Sequence, residues 1–198
     1  MRARMALSYA NITIELREIL LSDRPDELYA ASPKGNVPVL QLPDGSVIDE
    51  SFDIMKWALE EVKTDWLDIN FVEQLSVIKV NDEDFKAWLN KYKYHQRHPE
   101  DPYEFYQEKC VKILSKYEQM LSNKLFLFGE KPQVADVAIL PLVRQFAHVD
   151  LPFFMKKLPN LNRWLETWKA SNLFQSIMKK YDKWAPSQTP LIVTFNNA

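Results

Sequence analysis

Few side chains in this sequence combine reactive chemistry with a spacing that could act on a small molecule. Asp49-Glu50-Ser51 stands just ahead of an apolar helical stripe. At such a helix start, exposed N–H groups and the helix dipole favour an anion. The same residues also read as plain helix-start chemistry, with Ser51 as N-cap and Glu50 as a first-turn acid. Lys34 offers a point positive charge to a carboxylate, or is a solvated loop lysine. Asp82 falls on an otherwise apolar stripe, where a lone acid is costly. It either faces a polar cleft between domains or pairs with a nearby Lys or Arg.

Two further groups look reactive and read as inert. Cys110 lies on the core stripe of its helix, away from the exposed, electropositive setting that activates a thiol, so it is expected to be buried. His95-Gln96-Arg97-His98 has metal-like spacing but no third ligand nearby in sequence, which marks a surface loop and no metal site.

The elements that must position these residues follow from periodicity. Ala3, Ala6, Leu7 and Ala10 fall at helical spacing, and no capping residue precedes them. Ile12, Ile14 and Leu16 then alternate with polar residues, as in a half-buried strand. Asp23-Arg24-Pro25-Asp26 opens a short helix that ends before Pro33. A strand over 37–42, a turn at Pro43-Asp44-Gly45 and a returning strand at Ser46-Val47-Ile48 make a hairpin. The next helix carries Phe52, Met55, Leu59 and Val62 on its apolar face. The first 62 residues thus read α-β-α-β-β-α.

Beyond Trp66 the pattern is helical throughout. Phe71, Leu75, Ile78, Phe85, Leu89 and Tyr92 form one stripe, and Tyr106, Cys110, Ile113, Tyr117 and Met120 the next. Helices follow over 133–148, around Trp164, Leu165 and Trp168, and over 173–180. The Trp and Tyr residues at this spacing build a core or a domain interface. A boundary near 63–68 separates an α/β domain, 1–62, from an all-helical domain, 69–185. A tail, 186–198, contains the β-prone run Pro190-Leu191-Ile192-Val193-Thr194-Phe195.

Bulk composition narrows the partners. The 198 residues are 46% hydrophobic and 26% charged, with 25 basic and 27 acidic side chains giving a net charge of −2. That balance gives no electrostatic reason to expect nucleic acid or an anionic membrane surface as partner. No run reaches the roughly 20 apolar residues of a membrane span, and no secretory signal is visible. A single cysteine fits a reducing, cytoplasmic setting.

Val37-Pro38 feeding a hairpin, then Asp49-Glu50-Ser51 opening a helix, resembles the cytosolic glutathione S-transferases. Phe128-Gly129 with Ala135-Asp136 resembles that family's folding motif, with Gln133 where the family has Ser or Thr. The substitution predicts a helix start weaker by up to about 1 kcal/mol. Asn81-Asp82, Phe85-Lys86, Tyr92-Lys93-Tyr94 and Arg144-Gln145-Phe146-Ala147-His148 are similar to a bacterial, cysteine-type branch.

The resemblance implies a thioredoxin-like domain followed by a helical domain. It implies a glutathione site in which Glu50 and Ser51 hold the γ-glutamyl end, a cis Val37-Pro38 step offers backbone to the cysteinyl part, and Lys34 meets the glycyl carboxylate. Glutathione would be the co-substrate, transferred to a small electrophile or exchanged with a disulfide by a cytoplasmic homodimer. It also implies a chain beginning one strand late, with the catalytic residue expected upstream of Met1 and turnover impaired. The tail, or a partner's strand, is then expected to fill the gap between the strand at 12–16 and the hairpin. The rival reading is a non-catalytic interaction module on the same fold.

Overall fold

The computed structural model describes residues 1–64, 66–67 and 70–195. Within the expected boundary at 63–68, positions 65 and 68 lie outside the described residues, as do position 69 and the last three residues of the tail. The chain divides into two units, Met1–Thr64 with Ala170–Ala198, and Asp65–Lys169.

The first unit is built on two helices. α1 (Arg2–Tyr9) buries Ala3, Met5, Ala6 and Leu7. It packs on α3 (Ser51–Glu60), which buries Ile54, Met55, Ala58 and Leu59. Between them run β1 (Ile14–Glu15), α2 (Asp26–Ala31), β2 (Leu40–Gln41) and β3 (Val47–Ile48), in the α-β-α-β-β-α order that the periodicity predicts. β2 and β3 pair antiparallel, Leu40 with Ile48 and Gln41 with Val47. Their turn is held by Asp44 Oδ1, which accepts from Ser46 N (2.9 Å) and Oγ (2.6 Å). Gly45 completes it at φ +87°, a conformation open to glycine without steric cost.

The tail does become a strand. β4 (Ile192–Val193) pairs antiparallel with β1, Ile14 opposite Val193 and Glu15 opposite Ile192. Leu16 N donates to Leu191 O at 2.8 Å, and the Thr13 and Thr194 hydroxyls lie 2.6 Å apart. Phe195 is buried and Arg4 stacks on its ring at 5.7 Å. Trp184 N donates to Glu18 O at 2.7 Å. The tail does not bridge to the hairpin, however. Among the described residues β1–β4 and β2–β3 are separate two-stranded sheets.

Residues after Lys169 also differ from the expected division at 185. α10 (Asn172–Ser176) packs on α1, where the buried Ser8 and Ser176 hydroxyls bond at 3.0 Å. The segment therefore belongs with the first unit.

The second unit is helical: α4 (Phe71–Val80), α5 (Lys86–Lys93), α6 (Tyr103–Met120), α7 (Val134–Ala147), α8 (Leu151–Lys157) and α9 (Pro159–Ala170). Its core includes Phe85, Leu89, Tyr92, Tyr106, Leu114, Val137, Phe146, Phe154 and Trp164. On α6 the inward position is Leu114, with Ile113 only half-buried.

Gln133 takes the N-cap position of α7. It closes a reciprocal box with Asp136, whose Oδ2 accepts from Gln133 N at 3.0 Å. The next amide, Ala135 N, donates to Gln74 Oε1 at 2.9 Å. A buried glutamine from α4 thus supplies an acceptor that a Ser or Thr is not there to give. Among the described residues no single helix is long and apolar enough to cross a membrane.

Candidate functional site

Of the residues that the sequence singles out, the mouth of α3 gathers Lys34, Asp49, Glu50 and Ser51. β3 delivers the chain to Asp49 and Glu50, and Glu50 takes the N-cap position in extended backbone, φ −113° and ψ 130°. Ser51 is the first helical residue rather than the cap. The first N–H to bond back is Ile54's, to Glu50 O at 3.0 Å. The N–H groups of Ser51, Phe52 and Asp53 therefore head the helix without an intrahelical acceptor. The Ser51 hydroxyl also has no bonding partner within the described protein. Together they form a cluster of donors suited to a carboxylate.

Charged side chains line this mouth. Lys34 Nζ donates to Asp49 Oδ1 (3.2 Å) and Glu50 Oε1 (3.1 Å). Asp49 is anchored from behind by the Ser32 hydroxyl, which donates to Oδ2 at 2.8 Å and is itself only 1% exposed. That hydroxyl first, and Lys34 second, hold the Asp49 carboxyl below the usual carboxylate range. The Glu50 bond, then the Asp49 bond, raise the Lys34 ammonium. Lys56 is paired with Asp53 at 2.8 Å.

Asp49 lay in a visible motif, whereas Ser32 carried no local signal. Gly35 shapes the Lys34 loop. It sits at φ +60°, and a Cβ there would stand 2.4 Å from Tyr29 Cε1. Val37-Pro38, two residues ahead of β2, is cis, and Val37 is exposed.

Asp82 belongs to the second unit, and the structure corrects its position. Residues Asn81–Phe85 form a π-helical turn, and the buried positions Gln74, Ile78, Asn81, Phe85, Leu89 and Tyr92 keep three–four spacing through it. Asn81, like Gln74, is a fully buried polar member of that stripe, while Asp82 is half-buried and accepts from Asn81 Nδ2 at 2.8 Å. Burial, with Asp82's charge adding to it, raises the Tyr117 phenol.

Cys110 is fully buried, and burial pushes its thiol up to about 12. His95 stands edge-on to the Tyr103 ring at 4.9 Å, and His98 Nδ1 lies 3.3 Å from Glu100 Oε1. Among the described residues no group of three His, Cys, Asp or Glu side chains is arranged to hold a metal ion. One surface hollow of about 360 Å³ lies in the first unit, lined by Ser8, Tyr9, Asn172, Leu173 and Ser176. The α3 mouth is not part of it.

Residues 1–61 match the family model for the glutathione S-transferase N-terminal domain, and residues 83–167 the model for its C-terminal domain. Elongation factor 1-gamma from rat and from human are each 24% identical over 162 residues, 79% of this chain. The chain spans 37% of the length of these curated relatives.

Among solved structures, a glutathione transferase family member from Pseudomonas fluorescens with two glutathione bound superposes with a TM-score of 0.73. It is 15% identical, covering 88% of this chain and 85% of that one. Glutathione S-transferase-I bound with lactoylglutathione gives 0.72 at 21% identity, covering 88% and 90%. Poplar glutathione transferase F1 gives 0.71 at 20%, covering 89% and 90%. At these identities the superpositions speak for the fold, and the two domain models, matched in order, speak for descent. The chain belongs to the glutathione S-transferase family.

Proposed function

We propose that this protein binds glutathione at the α3 mouth and works in glutathione-dependent thiol chemistry. The γ-glutamyl carboxylate sits on the Ser51 hydroxyl and the leading N–H groups, with Glu50 beside it. The cysteinyl backbone runs along Val37-Pro38, and Lys34 stands at the glycyl end. The observation that carries this reading is the set of unbonded donors at α3, within a segment matched to the family's N-terminal domain.

In the conjugation reaction the glutathione thiolate attacks an electrophilic carbon, a C–S bond forms and the leaving group departs with its electron pair. The thiol's proton goes to solvent or a base. In the alternative exchange reaction the thiolate attacks a disulfide sulfur and releases the other thiolate. Cys110 takes no part, because its buried thiol is not available as a thiolate. A cytoplasmic homodimer of the bacterial, cysteine-type branch completes the reading.

Calorimetric titration with glutathione tests it: saturable heat at millimolar ligand is expected, and its absence overturns the site. Similarity to elongation factor 1-gamma across 79% of the chain favours a second reading, a non-catalytic interaction module. A conjugation assay with a chloronitrobenzene separates the two. Glutathione binding with no rate above the uncatalysed background supports the module.

A further inference from the structure

The turn between α6 and α7 meets the start of α9 around a second hollow, of about 220 Å³, whose lining lies wholly in the helical unit. Pockets for drug-sized ligands begin at about 300 Å³, so this one suits a very small molecule. Its walls are held in place. Phe126 N donates to Gly129 O at 2.9 Å, and Gly129 N donates back to Phe126 O at 3.3 Å, closing the turn. Glu118 clamps the α9 start, accepting from Asn160 N (3.0 Å), Asn160 Nδ2 (2.8 Å) and Leu161 N (2.8 Å). Arg163 Nη2 donates to Leu121 O at 2.7 Å and to Lys124 O at 2.8 Å.

What the walls leave unspent is ionic. The two Arg163 bonds satisfy carbonyls at the end of α6, an ordinary capping role, and use only the Nη2 donors. The Nε and Nη1 donors have no partner among the described residues. The Lys124 ammonium and the Glu130 carboxylate line the same hollow and are likewise unpaired among the described residues. Elsewhere such neighbours neutralise each other, as Lys34 does Glu50 and Lys91 does Glu100. Here charges of both signs surround one space and stay apart. The guanidinium and ammonium suit a carboxylate, Glu130 suits an ammonium, and Leu125, 47% exposed, supplies an apolar wall. We propose that this hollow binds a free α-amino acid with an apolar side chain. Its carboxylate goes to Arg163 and Lys124, its ammonium to Glu130 and its side chain against Leu125.

Amide NMR of the full chain, titrated with L-leucine, tests it beside two masked analogues. N-acetyl-leucine lacks the ammonium, and leucinamide lacks the carboxylate. Saturable shifts at residues 122–130 are expected at roughly millimolar leucine, and each analogue should bind about three- to fivefold more weakly. Glu130→Gln should weaken leucine by a similar factor and spare N-acetyl-leucine, whereas Lys124→Gln should weaken both. Both side chains are exposed and unbonded, so neither change should move the unfolding midpoint. The inference falls if leucine shifts no amide in 122–130, or if the masked analogues bind as well as leucine. It falls equally if Glu130→Gln leaves leucine unchanged or weakens N-acetyl-leucine alongside it. None of these outcomes bears on the α3 mouth.

Discussion

Helices α3 and α7 begin in opposite ways. At α7 the protein consumes its own donors. Ala135 N goes to Gln74, and Asp136 Oδ1 accepts from Leu127 N (3.0 Å) and Trp164 Nε1 (2.9 Å), while its Oδ2 takes Gln133 N. Asp136 has no exposed surface, and burial pushes its carboxyl up to about 6 against the pull of those donors. At α3 the cap residue turns its carboxylate outward to Lys34 and leaves the leading amides open. Equivalent backbone chemistry thus yields a structural joint where the donors are spent internally, and a receptor where they are kept.

The sharpest break of that contrast is Asp136→Ala. It strands three buried N–H donors and should cost about 3–5 kcal/mol, read by urea denaturation with tryptophan fluorescence. Asp136→Asn keeps one acceptor and reveals the titration. The folded carboxyl lies near 6 and the reference value is 3.8, so the folded state holds more protons between them. The group's contribution is full below about pH 4 and is lost as pH rises through about 6. Stability of the unaltered chain relative to Asp136→Asn should fall across that window and level off above it.

At α3, Ser51→Pro removes one N–H and the hydroxyl while keeping the helix. Proline is tolerated at a first helical position, and Glu50's extended backbone suits a residue before proline. Glutathione affinity should drop about tenfold with unfolding unchanged; undiminished binding would place the ligand elsewhere. Gly35→Ala should cost about 1–2 kcal/mol through its positive φ, and more if the Tyr29 ring cannot yield. Smallest of all is the effect expected at Cys110: a disulfide reagent at pH 8 should find no reactive thiol until denaturant is added.

Local pattern revealed most of the framework. Alternation at Ile12, Ile14 and Leu16, the Pro43-Asp44-Gly45 turn and the apolar stripes each mark an element that forms. What local pattern missed depends on distant or non-ideal geometry. The acceptor for Ala135 N lies on Gln74, 61 residues away, so no inspection of the α7 start could find it. The buried stripe runs through Gln74, Ile78, Asn81 and Phe85, one position off the apolar reading at Leu75 and Asp82, because two polar side chains hold inward places that residue type assigns to their neighbours. The strand character of the tail was visible in its residues, but its separation from the hairpin was not. At the site, Glu50 and Ser51 announced a helix start, whereas Lys34's dual pairing needed the Ser32–Asp49 brace.

The pairing of the tail with β1 has a bearing on how the chain is made. Thr13 and Thr194, 181 positions apart, meet across that ladder, so the amino-terminal unit is interrupted in sequence by the whole helical one. During synthesis, β1 is made before the helical block, and its pairing strand β4 after it. The contiguous helical block, rich in local contacts, can finish ahead of them. The unit that carries the proposed ligand mouth therefore gains the partner of its first strand only after the helical block has been made.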